Sequence, residues 1–187
     1  MDIDEILDSV SLIHEDPKAI LKSYTKEVNF PKGHLLLHAQ KCEKSIYFIK
    51  KGIVRAYSNT AENEVTFWFG KEGDAVISMK SYIANQPGYE NIELLENSCF
   101  YEMNNTELQK LYNEHIEIAN WGRKFAENEL LKTEERLISR QFRTASERYD
   151  ELLKNHPHLV QRVQLSHIAS YLGITQVSLS RIRAAKN

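Results

Sequence analysis

Near the end of the 187-residue chain, Gln176, Val177, Ser180 and Arg181 crowd into one short segment, with Thr175, Ser178 and Arg183 beside them. Arginine donates two hydrogen bonds to guanine O6 and N7, and glutamine makes the matching pair with adenine. Thr175, Ser178 and Arg183 suit phosphate oxygens, as does the positive end of a helix. These residue types, at this spacing, suit the recognition of base edges and a polyanionic backbone.

Such side chains work only if an element presents them. The surrounding sequence, LSHIASYLGITQVSLSRIR (165–183), has two apolar-periodic runs flanking Gly173. Ile168, Ala169 and Leu172 share one helical face, and the small Ala169 permits close approach of another helix. Gly173 suits the left-handed position just past a helix end. Thr175 suits the cap of the next helix, in which Leu179 and Ile182 face inward. A helix, a short glycine-containing turn and a polar helix with arginine form the helix-turn-helix pattern.

Charge supports that assignment. Residues 136–187 hold nine Lys/Arg (Lys186 among them) against three acids, hence +6, whereas the remaining 135 residues carry 15 basic and 23 acidic side chains, hence −8. A basic end favours a polyanion, and an acidic remainder is repelled by one. Composition, with 42% hydrophobic and 27% charged residues, is that of a globular protein. No apolar run approaches the ~20 residues that a bilayer requires. The acidic start, MDIDEILDSV, lacks a basic-then-apolar leader. With only Cys42 and Cys99, neither a disulfide scaffold nor a cysteine-bound metal centre is indicated. A cytoplasmic location is expected.

Before the basic segment, the first ~28 residues show helical periodicity (Ile3, Ile6, Leu7, Val10, Ile13), with Asp16-Pro17 opening a second short helix. From Phe30 to Met103, short β-rich runs recur at 34–38, 46–50, 53–57, 65–69, 75–78, 92–95 and 99–103, separated by turn signals. That spacing predicts an antiparallel sandwich or barrel. KKG (50–52) reads as a hairpin between two runs, with Gly52 at positive φ. SYIANQPGYEN (81–91) is the longest interruption. Thr106 precedes a short helix, and about 113–142 reads as one long helix. Its stripe of Ile116, Ala119, Arg123, Ala126, Leu130 and Leu137 approximates a heptad repeat, and Ile118, Trp121 and Phe125 add a second. A helix at 146–155, ended by His156-Pro157, and a strand-like VQRVQ (160–164) lead into the opening segment.

This order of elements resembles the cyclic-AMP receptor protein/Fnr family of bacterial transcription regulators, over about Phe30 to Arg183. FPKGHLLLHAQ and SIYFIKKGIVRAY are similar to the family's opening strand and its glycine-bearing hairpin, and HIASYLGITQVSLSRIR to its most specific signature. The resemblance implies an α+β fold: an N-terminal antiparallel β-roll (a double-stranded β-helix, cupin-like) with flanking helices, a long dimerisation helix and a C-terminal winged helix-turn-helix. The corresponding segments are a cyclic-nucleotide-binding-like sensory domain at 1–112, the dimerisation helix at 113–142 and the DNA-binding domain at 143–187. A homodimer that reads a palindromic operator follows from the resemblance.

The family's ligand cassette is where this chain departs. Its Gly-Glu pair corresponds to Gly73-Asp74, and its phosphate-binding Arg-Ser to Gly88-Tyr89, with Tyr82 in the intervening stretch as a further candidate for the pocket. No Lys or Arg lies between Lys80 and Lys110. Burying a phosphate without a cation is costly, so cyclic AMP is not the expected effector. In the reading helix, Arg181 is kept, whereas Gln176 and Val177 replace the family's Arg-Glu, so the operator should differ. Haem ligation by His34, His38 or His115 is disfavoured, and the many aromatics of 47–89 fit barrel filling better than a pocket.

No catalytic motif is present, and Glu62, Glu64, Glu72 and Asp74 sit at turn signals where solvation is expected; an enzyme is not indicated. No cofactor or metal is implied. Expected partners are double-stranded DNA, a second copy of the chain and an unidentified small-molecule effector, with RNA polymerase left open and no membrane. The rival reading is a sensory or scaffold β-roll that responds to a small ligand without binding DNA.

Overall fold

The structure, a computed structural model, describes residues 1–61 and 63–185; Glu62 and Lys186 lie outside the described residues. Two short helices open the chain, α1 (Ile3–Val10) and α2 (Glu15–Ser23). Asp2 and Glu5 close α1 with a reciprocal capping box. α2 begins two residues earlier than expected, with His14 rather than Asp16 at the cap position and no capping bond from its side chain. Lys18 reaches Asp8 at 3.0 Å and Lys22 reaches Asp4 at 2.7 Å, so the two helices are joined by ion pairs as well as apolar contacts.

Among the described residues eight strands follow: β1 (Thr25–Phe30), β2 (Leu35–Leu37), β3 (Ser45–Lys51), β4 (Val54–Asn59), β5 (Glu64–Gly70), β6 (Ala75–Val76), β7 (Asn91–Leu94) and β8 (Ser98–Asn104). They form two four-stranded sheets, ordered β1-β8-β3-β6 and β2-β7-β4-β5. The described ladders β1–β8, β8–β3, β3–β6 and β2–β7 are antiparallel. This is the expected α+β architecture, a jelly-roll-like domain followed by helices. All seven expected strand segments are strands. β1 is additional: TKEVNF carries only Val28 and Phe30 as apolar residues and belongs to an edge, where alternation is weak.

KKG is not a hairpin. β3 and β4 belong to different sheets, so the turn carries the chain from one layer to the other. Gly52 has φ +125°, and a Cβ there would stand 2.2 Å from Ser98 Oγ. Glycine is needed both for the conformation and for the close passage of β8.

Contacts divide the chain into two units. The first comprises Met1–Ala56 and Phe69–Leu130. Within it, β3, β6 and β8 present Ile46, Phe48, Ala75, Tyr101 and Met103 to Ile6 and Leu7 of α1, Leu21 of α2, Leu108 and Leu111 of α4 (Asn105–Glu114), and Ile118, Trp121 and Phe125 of α5 (Ile116–Phe142). Trp121 and Phe125 stack at 5.8 Å, each edge-on to Phe48. The Trp121 Nε1–H donates to Leu7 O at 2.9 Å. α4 is capped by Asn104, whose side chain accepts from Thr106 N and Glu107 N, rather than by Thr106 itself.

The second unit comprises Tyr57–Trp68 and Leu131–Asn187. It holds the C-terminal half of α5, then α6 (Ala145–Asn155), α7 (Pro157–Arg162), α8 (Leu165–Leu172) and α9 (Gln176–Ala184). Thr144 and Glu147 make a capping box at α6. The expected strand at 160–164 is instead the end of α7: Pro157 at the first helical position starts a helix, and Leu159 and Val163 are buried at i, i+4 spacing. Among the described residues past Phe142 there is no strand, so the wing of the expected winged helix-turn-helix is not among them.

Candidate nucleic-acid interface

The α8–α9 pair is built as its sequence predicts. Gly173 adopts a left-handed conformation (φ 68°, ψ 34°), and the Ile174 N–H reaches back to Ala169 O at 3.0 Å, closing α8. Ile168, Ala169, Leu172 and Leu179 are buried. Thr175 Oγ1 accepts from Ser178 N at 3.1 Å, so the cap of α9 is formed. Ser178 Oγ lies 3.0 Å from Thr175 Oγ1, so both hydroxyls are already engaged locally. Gln176, Val177, Ser180 and Arg181 are exposed together on one side of α9, and Arg183 is half-buried at its margin. The N-terminus of α9 adds its positive dipole end next to Gln176 and Val177.

Two of the contacts that hold α8 have no signal in the sequence. Arg148 of α6 donates from Nη2 to Leu172 O at 2.7 Å, placing a cation on the carbonyl end of α8. Ser170 is the second. Its hydroxyl donates to Glu64 O and accepts from Thr66 N, both at 3.0 Å, so one side chain serves as the hydrogen-bonding partner of β5 backbone. More than a hundred residues separate these partners.

Along α5, Ile116, Arg123, Ala126, Leu130 and Leu137 are exposed and Ala119 is half-buried, while Ile118, Trp121 and Phe125 are buried. Leu130 is 70% exposed and Leu137 55%. Leu131, Ile138 and Phe142, which the heptad reading omitted, are also exposed, Phe142 at 79%. Arg123 pairs with Glu127 on the same helix.

In the β-roll, the expected ligand residues differ in their local surroundings. Gly73 (φ +92°) and Asp74 form a turn, in which the Asp74 carboxylate accepts from Lys71 N at 3.0 Å. Glu72 likewise accepts from Gly52 N at 2.9 Å, so these two carboxylates close turns rather than being merely solvated. Tyr82, on α3 (Met79–Ala84), packs against the core, and burial raises its hydroxyl above the ordinary tyrosine value. Tyr89 is exposed, whereas Gly88 is buried. Gly88 exchanges hydrogen bonds with the 40–41 backbone (Gln40 N to Gly88 O 2.9 Å, Gly88 N to Lys41 O 3.2 Å). A Cβ on Gly88 would meet Ser78 Oγ at 2.5 Å and Glu90 Oε1 at 2.7 Å. Those two oxygens are buried without a hydrogen-bond partner among the described residues. The position aligned with a phosphate-binding arginine thus abuts a buried carboxylate. In β4 a buried cation carries no signal in the sequence: Arg55, 3% exposed, lies 3.5 Å from Glu93.

Both cysteines are free thiols. Burial and the Glu27 carboxylate push the Cys99 thiol up, which disfavours a reactive thiolate. Among the described residues, no helix is long and apolar enough to cross a membrane.

A jelly-roll-like β domain followed by C-terminal helices defines the class of fold. Residues 27–115 match the family model of the cyclic nucleotide-binding domain. FixK2 from Bradyrhizobium japonicum is similar in structure, with a TM-score of 0.74 at 18% identity, covering 86% of this chain and 83% of that one. CLP of Xanthomonas campestris, described as a c-di-GMP-responsive global regulator, has a TM-score of 0.66 at 14% identity, with 90% and 89% covered. The catabolite activator protein of Thermus thermophilus gives 0.60 at 15%, with 96% and 85% covered. Likeness at these identities establishes the fold. No curated protein matches the chain in sequence.

Proposed function

We propose that the chain is a homodimeric, DNA-binding transcription regulator that reads a palindromic operator through α9. The observation that carries this reading is the outward set Gln176, Val177, Ser180 and Arg181 on a helix whose inward Leu179 is fully packed. The fold shared with FixK2, CLP and the catabolite activator protein supports it. Thr175 and Arg183 flank the base-reading set at the phosphate backbone, whereas the Ser178 hydroxyl serves mainly to cap the helix. The exposed α5 residues Ile116, Ala126, Leu130 and Leu137 form the dimer contact, with Ala119 and Arg123 in the same stripe. The protein acts by binding rather than by catalysis.

The effector of this reading is not cyclic AMP. With Glu90 buried beside Gly88 and no cation across 81–109, the cassette opposes an anionic phosphate. Gly73, Asp74, Tyr82, Gly88 and Tyr89 remain the segment at which a different small molecule acts.

Selection of bound sequences from random duplexes tests the DNA assignment. The expected result is a palindromic consensus whose affinity falls steeply with salt. Arg181→Ala relaxes preference at one base pair per half-site and costs ~1–3 kcal/mol of specific binding. No enrichment, or unchanged selectivity in Arg181→Ala, refutes the assignment. Micromolar cyclic AMP binding by calorimetry refutes the statement about the effector.

A further inference from the structure

Val177 is 62% exposed one residue inside the N-terminus of α9. It takes no part in the inward stripe of Leu179 and Ile182. Advancing about 100° per residue, the outward residues Gln176, Ser180, Val177 and Arg181 cover an arc of roughly 140°. Val177 falls within about 30° of its centre, with Gln176 and Arg181 at the borders. Branching at Cβ makes valine a weaker helix former than alanine, so local structure gives no reason for it here. The neighbouring hydroxyls of Thr175 and Ser178 are turned to each other. The first turn of α9 therefore offers a groove one amide and one bare isopropyl group. In the major groove, the apolar feature that base edges display is the thymine 5-methyl group.

We propose that Val177 is a specificity-determining residue, packing on the 5-methyl group of one thymine in each operator half-site. The inference rests on the DNA-binding reading above and adds the base that this position selects. An isopropyl group neither donates nor accepts hydrogen bonds, so it distinguishes this base by its methyl group alone. Gln176 and Arg181 supply the flanking hydrogen-bonded contacts, to adenine and guanine.

The test uses the full chain and its selected consensus. Each thymine of one half-site is replaced singly by deoxyuridine, which keeps base pairing and removes only the methyl group. The expected result is one position at which the replacement weakens binding roughly fourfold, the loss typical of one methyl contact. In Val177→Ala that penalty disappears, while the salt dependence, set by phosphate contacts, is unchanged. A selected consensus that shows no uracil-sensitive position, or one whose penalty persists in Val177→Ala, overturns the proposal and leaves the DNA reading intact. Failure to select any consensus removes both.

Discussion

Ser170→Ala is the sharpest perturbation of how α8 is held. It deletes a donor to Glu64 O and an acceptor for Thr66 N, both at 3.0 Å. Thr66 is fully buried, and Ser170 is half-buried. A neutral hydrogen bond contributes about 1 kcal/mol net, and a buried donor that loses its partner costs about 1–3 kcal/mol. Partial exposure of Ser170 lets water replace some of the loss, so the total should be ~1–3 kcal/mol. At about 1.4 kcal/mol per tenfold, that is a 5- to 150-fold rise in the opening equilibrium at β5. Amide hydrogen exchange at Thr66 reads it directly. The Leu95 amide, bonded to Ile53 O at 2.9 Å in the first unit, serves as the internal control. Exchange at Thr66 should accelerate by that factor while Leu95 is unchanged, and Ser170→Thr, which keeps a hydroxyl, should restore part of the protection. Equal protection of Thr66 in wild type and Ser170→Ala would refute the role assigned to this hydroxyl.

Gly122→Ala tests a close helix contact: a Cβ would stand 2.5 Å from the Tyr112 ring, so the ~1 kcal/mol gain in helix propensity should be outweighed by an overpacking cost of ~1–3 kcal/mol, and thermal unfolding should show net destabilisation. Thr175→Ala removes the cap of α9 and should cost about 1 kcal/mol, seen as lower specific DNA affinity with an unchanged consensus. Leu130→Glu with Leu137→Glu should convert a dimer to a monomer in sedimentation analysis, because burying each leucine is worth ~1.5–3 kcal/mol; a monomeric wild type refutes the dimer reading. Burial first, and then the nearby Glu102 carboxylate, push the Tyr47 phenol up to about 12 from its ordinary value of 10.0. Because the folded value is the higher one, this group's stabilising contribution is complete below pH 10 and is lost as pH rises from about 10 to 12. Tyr47→Phe should flatten that part of the alkaline unfolding profile.

The parts legible in the sequence are those carried by local pattern. The β runs between Leu35 and Met103, Gly173 and the Thr175 cap each depend on residues within a few positions of one another, so periodicity and turn chemistry reach them. Failures arise where one local signal serves two topologies. Gly52 gives the same positive φ to a hairpin and to a crossing between sheets, and only the approach of Ser98 distinguishes them. VQRVQ has valines three apart, equally acceptable to a strand end and a helix end, and Pro157 decides the matter upstream. Ser170 is beyond any local reading, since its partners are Glu64 and Thr66. The candidate ligand residues were legible as a departure from a pattern, but not as a geometry: Asp74 closes its own turn and Tyr82 joins the core.

α5 shows why its heptad pattern has gaps. In its first half, Ile118, Trp121 and Phe125 lie on one side of the helix and are buried by α1 and the β3 sheet. At about 100° per residue, Ile116, Ala119, Arg123, Ala126 and Leu130 point roughly 145° away from them. One helix therefore carries two apolar directions, and neither pattern can be continuous. Past Leu130 the inner anchors end, and Leu131, Ile138 and Phe142 join Leu137 as exposed apolar residues. The exposed stripe broadens where the helix no longer has a core of its own to cover. A fold that needed α5 only for its own packing has no use for apolar side chains at these four positions, among the charged and polar residues that otherwise fill 131–142. On the homodimer proposed above, Leu131, Leu137, Ile138 and Phe142 extend the contact into the C-terminal half of α5.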